Sequence, residues 1–195
     1  MKKILIFGAG RSSSSLIKYL LDSANKENWF ITVLDSDLKS AQEKVGKHPN
    51  AECFAIDASN QEIRLKYIKD ADIVISMLPA FLHIKILKDA IDCGVHVITP
   101  SYVTDEIKSL DQAAKSKDVV ILNEMGLDPG IDHMSAKKII DEITDKGGKL
   151  TGFESYTGGL VAPESDNNPW NYKFTWNPRN VVLAGQGGAA KFIQE

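Results

Sequence analysis

The sequence predicts an α/β fold built on a doubly wound parallel sheet, and three observations favour this prediction. Short apolar runs alternate with segments of helical spacing throughout the first 125 residues. These runs are continuously apolar, which is typical of parallel strands that are buried on both faces. A glycine-containing loop at 8–13 follows the first run and precedes a helical segment, which is where such folds bind phosphate groups.

The alternation defines strands and helices in a regular order. The candidate strands are 3–7, 30–34, 51–56, 73–77, 96–99 and 119–122. The candidate helices are 13–23, 38–45, 61–68, 82–92 and 105–114. In the fourth helix, Ile84, Leu87 and Ile91 recur at i, i+3 and i+7, which places them on one face. Strands that alternate with helices of this length form right-handed βαβ units.

The composition changes near residue 125, where we place a domain boundary. Ten of the 14 glycines and seven of the 15 aromatic residues lie beyond it. Residues 1–125 are predicted to form the doubly wound domain, and 126–195 the start of a second, α+β domain that holds substrate. Since a piece of ~70 residues is marginal as an independent domain, we expect the second domain to be incomplete or to borrow a partner surface.

The second region has its own predicted elements. A helix at 131–144 carries an apolar stripe that begins at Ile131 and ends at Ile143. Strands are predicted at 150–156 and 172–176. An incomplete domain would expose an apolar face that favours association, so a homodimer is left open.

Charge and composition exclude several classes of protein. The 23 basic and 26 acidic residues give a net charge of −3, so the basic surface of a nucleic-acid-binding protein is absent. The two cysteines, Cys53 and Cys93, form no CxxC motif, which excludes a disulfide scaffold and a cysteine zinc site. The apolar runs fall far short of the ~18 residues that a membrane helix needs. We therefore expect a cytoplasmic protein that binds neither nucleic acid nor membrane.

The loop at 8–13 has the sequence GAGRSS, a GxGxxG pattern with serine in the third glycine position. Gly8 permits the tight turn, and Gly10 allows a pyrophosphate to approach the backbone. Ser13 is small enough for close packing of helix against strand, and the hydroxyls of 12–15 are candidate donors or helix caps. An ordinary βα turn is the alternative, but the strand before the loop and the helix after it favour a nucleotide.

Asp35 ends the second predicted strand, where an acidic side chain accepts a hydrogen bond from a ribose 2′-hydroxyl and repels a 2′-phosphate. It therefore favours NAD over NADP, with NADP left open. The alternative is that Asp35 or Asp37 caps the following helix, and we assign the cap to Asp37. Asp57 ends the third strand and lines either the adenine pocket or a solvated turn. Leu78 follows the fourth strand, where the sheet is expected to reverse its strand order.

The segment 126–134, GLDPGIDHM, follows the sixth strand at the sheet edge where ligands bind in such folds. It combines the Asp128 carboxylate, a Pro-Gly turn and a helix start. The alternative is a plain turn with a helix cap. We predict no metal site from Asp128, Asp132 and His133, because adjacent residues diverge on a helix and a site needs further ligands. His133 has an arguable site role, holding either Asp128 or the turn.

Several motifs together resemble the saccharopine dehydrogenase family of the glutamate-forming type. They are GLDPGIDH at 126–133, SYTGGL at 155–160, APE at 162–164, the stretch from NP at 168–169 to YKFTW at 172–176, GAG at 8–10 and TPSY at 99–102. The resemblance spans nearly the whole chain, and its later motifs are longer and more specific than the phosphate loop.

The resemblance implies a Rossmann domain, a second domain that carries much of the amino-acid site, and an oxidoreductase of lysine metabolism. The implied reaction is hydride transfer from the secondary amine of saccharopine to NAD(P), after which the imine is hydrolysed to glutamate and aminoadipate semialdehyde. By this similarity Ser101, Tyr102 and Asp128 face the substrate and the nicotinamide. The residues that would hold the cofactor are Gly8, Gly10, Arg11, Ser12, Ser13, Asp35, Asp57 and Leu78.

Two departures limit what carries over from the family. Thr157 stands where family members often have cysteine, so no thiol role is assigned. The family's chain continues well past residue 195 and includes basic residues that bind substrate carboxylates, so we expect this chain alone to be inactive. Lys173 and Arg179 are the candidates here, and the fork of Arg179 matches a carboxylate better. The alternative is that both are surface charges.

The implied reaction needs a base, which takes a proton from the substrate amine and later activates water. Asp128 fits this role if a closed cleft removes it from water. Tyr102 fits it only with a strongly lowered pKa, and we favour a hydrogen bond from Tyr102 to a substrate carboxylate.

Other interpretations stay open at this point. A related dehydrogenase, acting on another amino acid or a carboxynorspermidine-type substrate, fits the same motifs. A nucleotide-binding module without catalysis would bind NADH with no effect of substrate. A methyltransferase also has a glycine-rich loop and an acid after its second strand, and binding of S-adenosylmethionine would distinguish it.

Overall fold

A parallel sheet forms the centre of the structure. The computed structural model describes residues 1–156, 161–173 and 182. The strands are β1 (Lys2–Phe7), β2 (Trp29–Asp35), β3 (Ala51–Ala55), β4 (Ile73–Ser76), β5 (His96–Ile98) and β6 (Ile121–Leu122). They form a six-stranded sheet in the order β3-β2-β1-β4-β5-β6, and each neighbouring pair is parallel. The predicted fold class, a doubly wound Rossmann-like sheet, is therefore confirmed.

Helices connect the strands, and capping side chains explain where two of them begin. The helices are α1 (Ser14–Glu27), α2 (Leu38–Val45), α3 (Gln61–Ile68), α4 (Ala80–Cys93), α5 (Asp105–Lys108), α6 (Asp111–Ser116) and α7 (Ile131–Asp145). Asp37 accepts a hydrogen bond from the Lys39 amide at 3.0 Å, which confirms it as the cap of α2. Asn60 caps α3 in the same way, through the Ile63 amide at 3.3 Å. Both helices have the predicted bounds.

Two predicted elements differ from the structure. The helix predicted at 105–114 is split into α5 and α6, and at the break the Leu110 amide donates to the Ile107 carbonyl, three residues back, at 3.0 Å. The predicted strand at 150–156 is wrong, since these described residues form neither helix nor strand. Apolar alternation gives a segment β propensity, but not the neighbouring strand that a ladder needs. The strand predicted at 172–176 lies mostly outside the described residues.

Apolar side chains cover both faces of the sheet. On one face, Ile6 and Ile31 pack with Ile17 of α1, and all three are fully buried. On the other face, Phe7 packs with Leu87 of α4. Successive residues of a strand point to opposite faces, so β1 supplies a core residue to each layer. This two-sided burial explains why the strands are continuous apolar runs.

The chain divides into two compact units, Met1–Lys149 and Leu150–Glu195. The first contains the sheet and α7, and α7 has no buried residue. The predicted stripe residues of this helix are exposed in the structure: Ile131, Met134, Ile139 and Ile143. The helix is thus confirmed, but its stripe residues belong to none of the core clusters formed by the described residues. The domain boundary near residue 125 remains a prediction. None of the helices among the described residues is both long and apolar enough to cross a bilayer.

Candidate cofactor and substrate site

The topology brings the predicted site residues to one edge of the sheet. Because β1 lies between β2 and β4, a crevice opens outside the carboxyl ends of β1 and β4. The phosphate loop leaves β1 at this edge, Asp35 ends β2, and Leu78 follows β4. Residues 99–103 and 123–130 leave β5 and β6 at the same edge. The phosphate loop, Asp35 and Leu78 therefore lie in the unit Met1–Lys149 together with the segments 99–103 and 123–130.

The phosphate loop shows the close approach and the open space that its glycines predict. Gly8 has a φ of +103°, and a Cβ added there would lie 2.9 Å from the carbonyl oxygen of Met77. A Cβ added to Gly10 would meet no atom within 4 Å. The backbone of Gly10 is therefore accessible to a phosphate, and the amino end of α1 offers amides and a positive dipole. These features fit a pyrophosphate.

The serines of the loop differ in their surroundings. Ser13 is buried, and its amide and hydroxyl donate to the Gly10 carbonyl at 3.2 Å and 2.9 Å. Ser13 thus stabilises the loop, and its direct contact with a cofactor stays a prediction. Because this hydroxyl is turned towards Gly10, α1 lacks the side-chain cap that the serines predicted. Arg11 and Ser12 are exposed beside the loop.

The Asp35 carboxylate is bound to the same loop. Its Oδ2 accepts a hydrogen bond from the Ala9 amide at 2.5 Å, and its Oδ1 accepts from the Asp37 amide at 2.8 Å and from the Ser36 hydroxyl at 3.4 Å. Oδ2 can accept a second hydrogen bond. Asp35 therefore retains acceptor capacity for a ribose hydroxyl while it holds the loop.

Lys44, which we did not single out from the sequence, also contacts the loop. Its ammonium, at the end of α2, donates to the carbonyls of Ala9 and Gly10 and lies 3.4 Å from Ser13 Oγ. Burial lowers the pKa of Lys44, and the charge of Asp35 opposes this effect. A lysine in the last turn of a helix carries little sequence signal, because it is also the ordinary complement of the helix dipole.

The loop after β3 is fixed by a buried arginine. Asp57 accepts hydrogen bonds from the amide and hydroxyl of Ser59, both at 2.8 Å, and the Ser59 hydroxyl holds the pKa of Asp57 below its ordinary value. Arg64 Nη1 donates to the carbonyls of Ala58 and Ser59 at 2.9 Å each. Asp57 is exposed at this loop, and Leu78 is half-buried against the core.

The segments that follow β5 and β6 are joined by hydrogen bonds. The Ser101 carbonyl accepts from the Glu124 amide at 3.0 Å and from Asn123 Nδ2 at 3.3 Å. The Thr99 carbonyl accepts from the Met125 amide at 3.2 Å. This pairing fixes the backbone of Ser101, a predicted substrate contact, beside the segment that leads to the Pro-Gly turn.

The turn at 126–130 is tight and exposes Asp128. The Gly126 amide donates to the Pro129 carbonyl at 3.0 Å, and the peptide bond between Asp128 and Pro129 is cis. Gly130 has a φ of +152°, and a Cβ there would lie 2.0 Å from the Gly126 carbonyl oxygen, so only glycine fits. Pro129 and Gly130 are buried, whereas Asp128 faces solvent.

Tyr102 is exposed near three carboxylates. Partial burial raises the pKa of its phenol, and the charges of Asp128, Asp132 and Glu124 act in the same direction. A raised pKa disfavours Tyr102 as a base. It agrees with the alternative that Tyr102 donates a hydrogen bond.

Asp132 and His133 form a pair at the start of α7. Asp132 Oδ1 accepts from the Gly130 amide at 2.9 Å and lies 2.8 Å from His133 Nδ1, a contact that raises the pKa of His133. His133 thus contacts Asp132 rather than Asp128. The ligand atoms of Asp128, Asp132 and His133 all lie within 4.8 Å of one another, so the expectation that they diverge is wrong. The Asp132 side chain folds back to the helix start, and Asp128 precedes the helix. Exposed acidic groups are common without a metal, and the absence of one stays a prediction.

A buried polar cluster behind the Thr99–Ser101 backbone was not predicted. His83 Nδ1 lies 2.8 Å from Ser76 Oγ and 3.3 Å from Thr99 Oγ1, and Thr99 Oγ1 accepts from the Ser101 amide at 3.3 Å. Burial lowers the pKa of His83 to about 4, so the ring is neutral near pH 7. One histidine in a helical pattern is a weak signal. The stronger signal is that a hydroxyl residue stands at the end of each of two adjacent strands: Ser76 at β4 and Thr99 at β5.

Arg179, a predicted substrate residue, lies outside the described part of the chain. Thr157, to which no role is assigned, lies outside it as well. Lys173 is described and half-buried, and it belongs to the unit Leu150–Glu195. The carboxylate-binding roles of Lys173 and Arg179 stay predictions.

Two family models together match nearly the whole chain. Residues 4–122, which include the six-stranded sheet except for Lys2 and Lys3 of β1, match the saccharopine dehydrogenase NADP binding domain. Residues 126–195 match the saccharopine dehydrogenase C-terminal domain. The first match alone covers more than half of the chain and assigns the phosphate loop to a dinucleotide-binding domain.

Curated relatives and a solved structure agree with these matches. Saccharopine dehydrogenase [NADP(+), L-glutamate-forming] of Schizosaccharomyces pombe is 40% identical over 194 residues, which is 100% of this chain and 42% of that protein. Alpha-aminoadipic semialdehyde synthase of Arabidopsis thaliana is 40% identical over 203 residues, covering 95% of this chain and 19% of that protein. The apo structure of saccharopine dehydrogenase (L-Glu forming) from Saccharomyces cerevisiae superposes with a TM-score of 0.84 at 36% identity, covering 94% of this chain and 40% of that chain. This chain thus spans less than half the length of these relatives, and it belongs to the saccharopine dehydrogenase family.

Proposed function

We propose that this chain is the cofactor-binding part of a saccharopine dehydrogenase and contributes residues to its substrate site. One observation carries the proposal. The phosphate loop, Asp35, Ser101 and Asp128 follow strands that end at the same edge of one parallel sheet. In sheets of this order, ligands bind outside that edge. The reaction we propose is oxidation of the secondary amine of saccharopine by loss of hydride to the dinucleotide and of a proton to a base. Water then hydrolyses the resulting imine to glutamate and aminoadipate semialdehyde.

We propose that the chain prefers NAD to NADP, although the names of the family model and of the fungal relative mention NADP. Gly8 and Gly10 fit a pyrophosphate, because one allows the tight turn and the other leaves its backbone open. Asp35 ends β2, where an acid favours a free ribose hydroxyl over a 2′-phosphate. The bound dinucleotide supplies the hydride acceptor.

The residues of the chain itself supply orientation and proton transfer. Asp128 projects from a rigid turn and takes a proton from the substrate amine once bound molecules exclude water. Tyr102 keeps its proton, since its pKa is raised, and donates a hydrogen bond to a substrate carboxylate. The backbone of Ser101 is held by hydrogen bonds at both its amide and its carbonyl, so Ser101 gives the substrate a fixed contact next to Tyr102. Lys173 and Arg179 are proposed to bind carboxylates. A homodimer and a cytoplasmic location stay predictions.

The experiment follows nicotinamide fluorescence while saccharopine is added to the chain with bound NADH. Saccharopine bound beside the nicotinamide is expected to change the emission or the affinity for NADH. Turnover is measured separately, as saccharopine-dependent reduction of NAD⁺ or NADP⁺. Bound NADH with no response to saccharopine would contradict the substrate assignment and indicate a nucleotide-binding module.

The role of Asp128 is tested by Asp128→Asn, made at the matching position of a full-length homologue. Loss of a general base is expected to lower turnover about 100-fold or more, while the affinity for NADH changes little. Asp141→Asn is a suitable control in the same unit, because Asp141 lies on α7, away from the turn, and pairs with Lys137. Unchanged turnover of Asp128→Asn would exclude Asp128 as the base.

A further inference from the structure

Two ionised side chains hold one residue of the phosphate loop, Ala9, from opposite sides. Ala9 lies between the two loop glycines and is buried. Its amide donates to Asp35 Oδ2 at 2.5 Å, and its carbonyl accepts from Lys44 Nζ. We call Asp35 and Lys44 the Ala9 clamp.

The two charges of the Ala9 clamp are close enough to act on each other. The backbone nitrogen and oxygen of one residue are less than about 4 Å apart, so the carboxylate and the ammonium lie within about 9 Å. Both side chains are half-buried, which reduces screening by salt. The other donors of Lys44 face the Gly10 carbonyl and Ser13 Oγ, so the ammonium stays beside the loop.

We infer that Lys44 is a positioning residue that sets how strongly this chain distinguishes NADPH from NADH. The inference rests on the proposed cofactor site. Asp35 carries the negative charge that repels a 2′-phosphate, and Lys44 offsets part of that charge through the same loop residue. Lys44 also holds the carbonyls of Ala9 and Gly10, which fixes the loop for either cofactor.

NADH and NADPH differ in how much their binding depends on the compensation of the Asp35 charge by Lys44. NADPH carries one more phosphate group, with about −1.5 to −2 charge at pH 7. Without the ammonium, the charge of Asp35 is no longer compensated, and NADPH loses more affinity than NADH. A residue that only supported the loop would affect both cofactors equally, since they share the pyrophosphate.

The test measures dissociation constants for NADH and NADPH by fluorescence titration of the chain and its variants. Lys44→Met is expected to weaken NADPH binding about tenfold and NADH binding about threefold or less. Lys44→Gln keeps two N–H donors without the charge. The ratio of the dissociation constants for NADPH and NADH is therefore expected to shift in the same direction as in Lys44→Met. Lys44→Arg keeps the charge and is expected to restore the ratio.

A lysine on the same helix provides the matched control. Lys39 is 83% exposed and faces Glu43 at 4.0 Å, so Lys39→Met removes one charge from α2 without touching the loop. Its ratio of dissociation constants is expected to match that of the wild type. Thermal unfolding by circular dichroism shows that each variant is folded.

The possible outcomes separate this inference from the proposed function. An unchanged ratio in Lys44→Met and Lys44→Gln, or an equal loss of affinity for both cofactors, would overturn the inference and leave the proposed function standing. Binding of neither cofactor by the wild type would overturn both.

Discussion

Substitution of Asp35 separates an observed contact from a proposed one. Asp35 accepts the Ala9 amide in the phosphate loop, and it ends β2, where we propose that it binds a ribose hydroxyl. In Asp35→Ala, NADH is expected to lose about tenfold in affinity, since hydrogen bonds to a charged acceptor are removed. NADPH is expected to lose less, because a repulsive charge disappears with them. Titration of both cofactors measures the difference.

Asp37 offers the control for this prediction. Asp37→Ala removes the cap of α2 and is expected to lower stability, without changing the preference between cofactors. If Asp35→Ala weakened both cofactors equally, the ribose assignment would have to be abandoned.

His83 makes stability depend on pH in a defined range. Its pKa falls from 6.5 to about 4 on burial, so the unfolded chain binds a proton between these values and the folded chain does not. The neutral, buried His83 ring contributes fully to the free energy of unfolding above pH 6.5. This contribution is lost as the pH falls towards 4, and the free energy of unfolding decreases by about 3 kcal/mol in all. In His83→Gln this part of the decline is expected to be missing. Urea unfolding at about pH 7 and about pH 4.5 measures it, and equal declines in both proteins would contradict the assignment.

At the level of the elements, a buried ion pair joins α3 to α4. Arg64 Nε lies 2.6 Å from Asp89 Oδ2, and the two side chains are 3% and 2% exposed. Gln61 Nε2 donates to Asp89 Oδ1 at 2.8 Å. The arginine also holds the loop after β3 through two carbonyls, so this pair connects helix packing to the Asp57 turn.

Removal of one partner of this pair is expected to be costly. Arg64→Leu leaves the Asp89 carboxylate buried without its counter-ion, so the free energy of unfolding is expected to fall by about 3–5 kcal/mol. The double variant Arg64→Leu with Asp89→Leu is expected to recover much of this loss, because no buried charge remains. Urea unfolding of the three proteins tests this. A double variant less stable than Arg64→Leu would show that the pair itself, and not charge burial, sets the cost.

Some bounds of the helices and strands could be predicted from the residue pattern and the capping residues, and others could not. The starts of α2 and α3 were predictable because Asp37 and Asn60 are strong caps. The break between α5 and α6 was not predictable, because the apolar spacing of Ile107, Leu110 and Ala114 continues across it. The strand predicted at 150–156 depended on a partner strand, which no local pattern supplies.

For the whole molecule, chain order explains why so much of the site was predictable. In a parallel sheet every strand ends at the same edge, so the loop at 8–13, Asp35 and Asp128 converge once the alternation is recognised. Lys44 and His83 escaped prediction because their roles depend on side chains reaching across elements. The expectation that Asp132 and His133 diverge was wrong because the Asp132 side chain folds back to the start of its own helix.

The central claim is that the loop at 8–13 and Asp35 bind a nicotinamide dinucleotide, with NAD preferred. Fluorescence titration of the wild-type chain with NADH, with NADPH and with S-adenosylmethionine tests it most directly. We expect tight binding of NADH, weaker binding of NADPH and no binding of S-adenosylmethionine. Binding of neither dinucleotide, or tighter binding of S-adenosylmethionine than of NADH, would contradict it.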